Sequence, residues 1–149
     1  MPLNIAPAVL NWDATQIIMV FMGIGVSTGF DENEFLDMEP EAELFGHKVG
    51  ADGEITRFRN NNRVNKVTLK LMQTSVANTL LSAVANLDQN TPGGAGIGPM
   101  LVQDLQGTSL FACQYCWVSK MPKRTFAREV QVREWELTCV MLAEVDGNN

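Results

Sequence analysis

The sequence predicts a mainly β fold, an antiparallel β-sandwich or barrel of about seven strands with one flanking α-helix. In residues 66–71, Val, Leu and Leu alternate with Lys, Thr and Lys, the period of a strand with one buried face. Only one stretch, residues 76–87, repeats apolar residues at helical spacing. A chain of 149 residues, 46% hydrophobic and 19% charged, is long enough for a single domain (1–149) with its own core.

The first third of the chain combines an apolar strand with an acidic one. Residues 1–12 contain two prolines that oppose ladder pairing, so we expect a flexible arm or an edge strand. Residues 17–22 form a β-prone run that is apolar on both faces and should be covered on both. Gly23 and Gly25 permit a bend or bulge after it. Residues 34–43 mix acids with Phe, Leu and Met and predict a strand with an acidic face.

The centre of the chain predicts a protruding loop, a strand and the helix. The loop covers residues 46–63, where Gly-Ala-Asp-Gly at 50–53 favours a tight reversal. Glycine reaches positive φ without a Cβ clash, and Asp hydrogen-bonds to neighbouring backbone groups. The strand that follows should bury Val67, Leu69 and Leu71. In the helix, Thr74 or Ser75 is the expected N-cap, residues 88–90 the end, and the apolar face consists of Val76, Leu80, Val84 and Leu87.

Beyond the helix, the glycine-rich and proline-rich residues 90–99 predict a flexible loop. Residues 100–112 predict a hairpin that turns at 104–107, and its second arm continues through Cys113, Tyr115 and Trp117.

The last strand changes its apolar phase. Val130 and Val132 alternate with polar residues, but the apolar set then moves to Trp135, Leu137 and Cys139. This one-residue slip between Arg133 and Glu134 predicts a bulge or an exchange of faces. The polar residues 145–149 predict a frayed tail.

The net charge of −6 is unevenly distributed. Residues 1–47 contain eight acids and no Lys or Arg, whereas residues 48–149 contain nine acids and eleven bases. Such asymmetry suits a surface that repels polyanions or pairs head to tail with another copy, and it equally suits a solvated acidic loop. The chain lacks the basic stripe and basic balance of a nucleic-acid-binding protein.

The residues that carry chemistry do not form an enzyme signature, so neither an enzyme nor a cofactor is expected. Cys113 and Cys116 have the spacing of a metal or redox pair, but residues three apart on a regular strand point to opposite faces. We therefore favour buried structural cysteines over a small metal-binding module built from Cys113, Cys116, Cys139 and His47. Gly93 to Gly96 resembles a phosphate loop, but no Lys-Ser/Thr follows it.

The sequence also predicts the cellular compartment of synthesis and bears on self-assembly. No apolar run approaches the roughly 20 residues that span a bilayer, and no signal peptide is recognisable, so we expect synthesis in a reducing cytoplasm and no membrane partner. Strands that are apolar on both faces are explained either by closure against neighbouring copies in a ring or by the core of a sandwich.

Several stretches in order make the chain resemble the tail tube proteins of contractile-tailed bacteriophages. The stretches are Gly50 to Glu54 with Thr56-Arg57, Val67 to Ser75 with Asn78 and Leu81-Ser82, Asp104 to Thr108, Trp117-Val118 with Pro122, and Arg133-Glu-Trp135. The resemblance implies a subunit that forms hexameric rings stacked into a hollow tube. DNA would leave the capsid through its lumen without specific binding.

The resemblance also implies partners and a location. The partners would be further copies of the chain and the sheath, baseplate and tail-terminator proteins, in a virion assembled in the cytoplasm of a host bacterium. The loop from Gly50 to Arg57 resembles the hairpin that reaches a neighbouring subunit or ring, so the expected oligomer contacts are Lys48, Gly50, Asp52, Gly53, Glu54 and Arg57. A related alternative is the tube of a phage-tail-derived bacteriocin or secretion machine.

Overall fold

The computed structural model describes residues 9–147. After a 3₁₀ turn at Ala14–Gln16, the chain in this range forms nine strands and one α-helix. The elements are β1 (Ile17–Phe21), β2 (Ile24–Val26), β3 (Leu36–Pro40), β4 (Phe45–Val49), β5 (Ile55–Arg59), β6 (Val64–Met72), α1 (Ala77–Asn90), β7 (Gly98–Asp104), β8 (Leu110–Lys120) and β9 (Val132–Val145). Seven strands form an antiparallel sheet in the order β2-β1-β7-β8-β9-β6-β3, while β4 and β5 pair only with each other.

One face of the large sheet builds the core. Met19 of β1 and Leu69 of β6 are both fully buried in one apolar cluster, although three other strands separate β1 from β6. The sheet must therefore curve around this cluster. Val67, Leu69 and Leu71 are all completely buried, as their alternation predicts. The expected mainly β fold with one helix is confirmed.

The glycine bend after the first strand is a two-residue hairpin turn. Phe21 pairs with Ile24, and the turn residues Met22 and Gly23 have φ values of 50° and 83°. Two successive positive φ values match the right-handed twist of the flanking strands, which makes this a favoured hairpin connection. The bend occurs before Ile24, so the strand β2 can pair with β1 along its whole length.

The helix faces the core differently from the sequence prediction. Ala77 and Leu81 are buried against β2 and β8, whereas Val76 and Leu87 are 74% and 56% exposed. The small side chain of Ala77 fits close to the sheet, and this rotates the buried stripe by one residue. The predicted apolar face is thus wrong except for the partly buried Val84. The predicted cap is displaced by one residue: Val76 directly precedes the helix and makes no side-chain cap, although Ser75 Oγ accepts the Ala77 N–H at 3.3 Å.

The predicted phase change in the last strand is wrong. Strand β9 pairs with β6 in unbroken register from Val132 to Val140, and every second residue from Arg133 to Met141 is buried. Val130 lies before the strand and is exposed. The inward position expected for an apolar residue is occupied by Arg133, whose Nη2 donates to the carbonyl of Thr125 at 3.2 Å.

Three segments have boundaries different from those expected. Gly98 and Pro99, expected in the flexible loop, belong to β7, and Val145, expected in the tail, belongs to β9. The expected loop 46–63 contains β5 and all of β4 except its first residue, Phe45. Residues 1–8 of the expected arm and residues 148–149 of the expected tail lie outside the described range. Within that range, no helix is long and apolar enough to cross a membrane.

Candidate assembly surfaces

The segment expected to protrude is a two-stranded hairpin outside the main core. The ladder between β3 and β6 extends into it, because Glu41 N–H donates to the Val64 carbonyl and Asn60 N–H donates to that of Leu44, both at 3.0 Å. All residues of the hairpin except Gly46 are exposed. A two-stranded hairpin is marginally stable alone in water, so a partner that covers it would contribute substantially to its order.

The tip of the hairpin is built by the residues that the sequence singled out. Gly50 N–H donates to the Glu54 carbonyl at 2.7 Å, and Gly53 N–H donates to the Gly50 carbonyl at 3.0 Å. The Asp52 carboxylate accepts the N–H of Glu54 at 3.1 Å. Gly53 has a φ of 90°, which side-chain-bearing residues rarely adopt. The predicted tight reversal is confirmed.

The two faces of the hairpin differ in chemistry. Cross-strand pairs place three apolar and three basic or imidazole side chains on one face, which we call the arginine face: Phe45, His47, Val49, Ile55, Arg57 and Arg59. The Arg57 guanidinium lies 4.0 Å from the centre of the Phe45 ring, a cation–π contact. Lys48 lies on the opposite face beside Thr56. Lys48 and Arg57, both predicted oligomer contacts, therefore lie on opposite faces of the hairpin.

The contacts predicted from the sequence did not include the exposed apolar side chains of the hairpin. Val49, Ile55 and Phe58 are 56%, 67% and 55% exposed, and Phe45 is 39% exposed. The Phe58 ring covers Gly46 so closely that a Cβ at that position would overlap it. The signal for these residues was present: two short β-prone runs flank the glycine-rich turn at equal distances.

A second exposed feature is a groove along β3, the edge strand of the large sheet. It has a volume of about 650 Å³ and an apolar floor that includes Leu36, Met38, Val102 and Phe111. Glu34 and Asp37 are exposed residues that also line it, and none of the described residues that line it is a Lys or Arg. We call this feature the acidic groove. The acidic strand predicted within residues 34–43 is therefore present, and it borders a cleft.

The three cysteines lie together in the core and form no disulfide. The Cys116 and Cys139 sulfurs are 2.7 Å apart, and Cys113 Sγ lies 3.4 Å from Met141 Sδ. A register shift between Cys113 and Tyr115 inserts one extra residue into β8. Because of this bulge, Cys113 and Cys116 face the same side, and the prediction that they point to opposite faces is wrong.

The environment of the thiols is that of structural cysteines. A hydrogen bond with Cys139 and burial raise the pKa of Cys113. The pKa of Cys139 is lowered by Cys113 but raised more by its hydrogen bond with Cys116 and by burial, so it is also raised. Raised pKa values keep both groups as thiols at neutral pH. His47 lies on the exposed hairpin, and no group of three His, Cys, Asp or Glu side chains among residues 9–147 is arranged to hold a metal ion.

Comparison with known proteins identifies the family. A sequence profile of the bacteriophage PhiTE tail tube protein matches residues 13–147. The chain belongs to this tail tube protein family. It is also 29% identical over 122 residues to "Structural protein ORF10" of Pseudomonas phage KPP10. This match covers 82% of this chain and 70% of that protein.

Two solved structures share the fold of this tail tube family member. The tube-terminating cap of the anti-feeding prophage has a TM-score of 0.58 at 10% identity, over 93% of this chain and 95% of the cap. The sheath/tube terminator of the extracellular contractile injection system PVC has a TM-score of 0.56 at 10% identity, over 92% of this chain and 100% of that one. The family is one of structural phage tail proteins, so the protein is a virion component and not an enzyme.

Proposed function

We propose that this protein is the subunit of an inner tail tube, assembled as hexameric rings that stack around a continuous lumen. The observation that carries the proposal is the hairpin β4–β5, an extension whose four large apolar side chains are 39–67% exposed in the described chain. Burying such a surface against a neighbouring copy is a general route to stable association. The residues at its tip, Gly50 to Glu54, would reach the next subunit or ring.

The charge distribution fits a conduit for DNA. Non-specific binding of DNA depends on clusters of Lys and Arg that neutralise phosphates, and the chain has a net charge of −6 instead. A lumen that repels phosphates weakly would let DNA slide during ejection. In the assembled tail the tube would contact sheath, baseplate and tail-terminator proteins, and its subunits would be made in the cytoplasm of the host.

A tube terminator is the second candidate. Both structural neighbours terminate the tubes of contractile machines, although their 10% identity supports the shared fold alone. A further alternative is a tube subunit of a tail-derived bacteriocin or secretion machine, which carries no DNA and has no need of phosphate repulsion.

Electron microscopy of the purified protein separates these candidates. A tube subunit should form stacked rings whose length grows with concentration, whereas a terminator should stop at single rings. A protein that stays monomeric at high concentration, alone and with tails that lack their tube, would refute both assignments. Packaged DNA in particles that contain the protein would distinguish a phage tail from a machine that carries no genome.

A further inference from the structure

We propose that the arginine face of the hairpin binds the acidic groove of a second copy of this chain. The inference rests on the proposed self-assembly and names the two surfaces that meet. The first observation is complementary charge: Arg57 and Arg59 lie on a face without acids, while Glu34 and Asp37 border a groove that no described Lys or Arg lines.

Complementary polarity points to the same pair of surfaces. Val49 and Ile55 on the arginine face are more than half exposed, and the floor of the acidic groove is apolar. Docking would remove apolar surface from water on both sides, which favours association. The charged groups at the edges would fix the register of the contact.

One of the two acids beside the groove, Asp37, is in neither ion pair of its own subunit. Among the described residues, the ion pairs are Lys66–Glu136 at 2.7 Å and Lys70–Glu34 at 3.9 Å. Asp37 takes part in neither pair and is exposed. Its carboxylate can therefore pair with an arginine of a partner without breaking either of these ion pairs.

A copy cannot readily fill its own groove with its own hairpin. The hairpin continues the β3–β6 ladder beyond Pro40, whereas the groove extends back along β3 to Asn33. None of the hairpin residues 45–59 lines the groove in the structure. The contact therefore joins two different surfaces on two copies, and such head-to-tail contacts propagate into rings or filaments.

Charge reversal gives a direct test. Arg57→Glu and Asp37→Arg each place like charges across the contact, so each variant alone should assemble at a critical concentration at least about tenfold above that of the wild type. Mixing the two variants should restore assembly, because each hairpin then meets a groove of opposite charge on the other variant. Sedimentation and electron microscopy measure both effects. Lys123→Glu and Glu129→Arg, exposed positions outside both surfaces, are the matched controls and should assemble normally.

A crosslink identifies the occupant of the groove. With cysteines introduced at positions 37 and 57, mild oxidation by a small-molecule disulfide should link separate copies into a ladder, whereas the pair 37 and 123 should not be linked. Crosslinks confined to monomers would show a hairpin in its own groove and overturn the proposal. Charge-reversal variants that assemble into tubes as readily as the wild type would also overturn the proposal. That result would leave the proposed tube function intact. A wild type that never assembles would instead refute the proposed function itself.

Discussion

The contact between Asn78 and Trp135 makes the sharpest prediction about the fold. The Asn78 side chain accepts the indole N–H of Trp135 at 2.9 Å and donates to the Met72 carbonyl at 2.9 Å, which ties the start of the helix to β9 and β6. Trp135 is 1% exposed, and the Asn78 oxygen is the acceptor of its indole N–H. Asn78→Ala leaves the indole N–H unsatisfied, at a cost of about 1–3 kcal/mol.

Two further effects of Asn78→Ala contribute to the expected change in the free energy of unfolding. Losing the bond to Met72 adds about 0.5–1.5 kcal/mol, because that carbonyl keeps the N–H of Ser75 as a donor at 2.9 Å. The better helix propensity of alanine returns about 0.5 kcal/mol. The free energy of unfolding should therefore fall by roughly 1–4 kcal/mol, measured by urea denaturation with circular dichroism at concentrations below assembly.

Two comparisons isolate the hydrogen bond. Asn86→Ala makes the same substitution on the exposed side of the same helix and should be neutral or slightly stabilising. In a Trp135→Phe background, which lacks the N–H donor, Asn78→Ala should cost less than about 1 kcal/mol. Equal costs of Asn78→Ala in the two backgrounds would refute the reasoning, as would a cost no larger than that of Asn86→Ala.

Three further predictions concern the core, the hairpin and the thiols. Leu69→Ala should lower the free energy of unfolding by about 2–5 kcal/mol, while Thr68→Ala on the other face of β6 should cost less than about 1 kcal/mol in the same urea titration. Gly53→Val, or deletion of residues 51–54, should leave the circular dichroism of the monomer unchanged but reduce ring stacking seen by electron microscopy, and loss of the monomer signal would show that the hairpin belongs to the core. The pKa of Cys113 is raised in the folded protein, whereas an unfolded thiol has a pKa of about 8.5. The contribution of Cys113 to stability is therefore complete below about pH 8.5. Above that pH the free energy of unfolding should fall by up to about 1.4 kcal/mol per pH unit. Cys113→Ala should show a shallower loss of stability between pH 8 and 10 than the wild type, and identical slopes would contradict this account.

The sequence by itself determined the elements whose pattern is local. The alternation of Val67, Leu69 and Leu71 identified a strand and its buried face, and the glycines around Asp52 identified a tight turn. These predictions held because the period of a strand and the φ preference of glycine depend on a few neighbouring residues. The motifs that indicated the tail tube family are also short local stretches, and they occur in the family's order along the chain.

Only the tertiary structure decided which face of a pattern turns inward and where a ladder gains a residue. Val76 and Leu87 have helical spacing but are exposed, because Ala77 and Leu81 fit the space beside β2 and β8. Cys113 joins Cys116 in the core because a bulge in β8 accommodates the register of β9. The acidic groove likewise depends on curvature that brings β3 near residues of β7 and β8, far away in the chain. Periodicity fixes which residues share a face, whereas the partner strands and the volume of the core fix which face is buried.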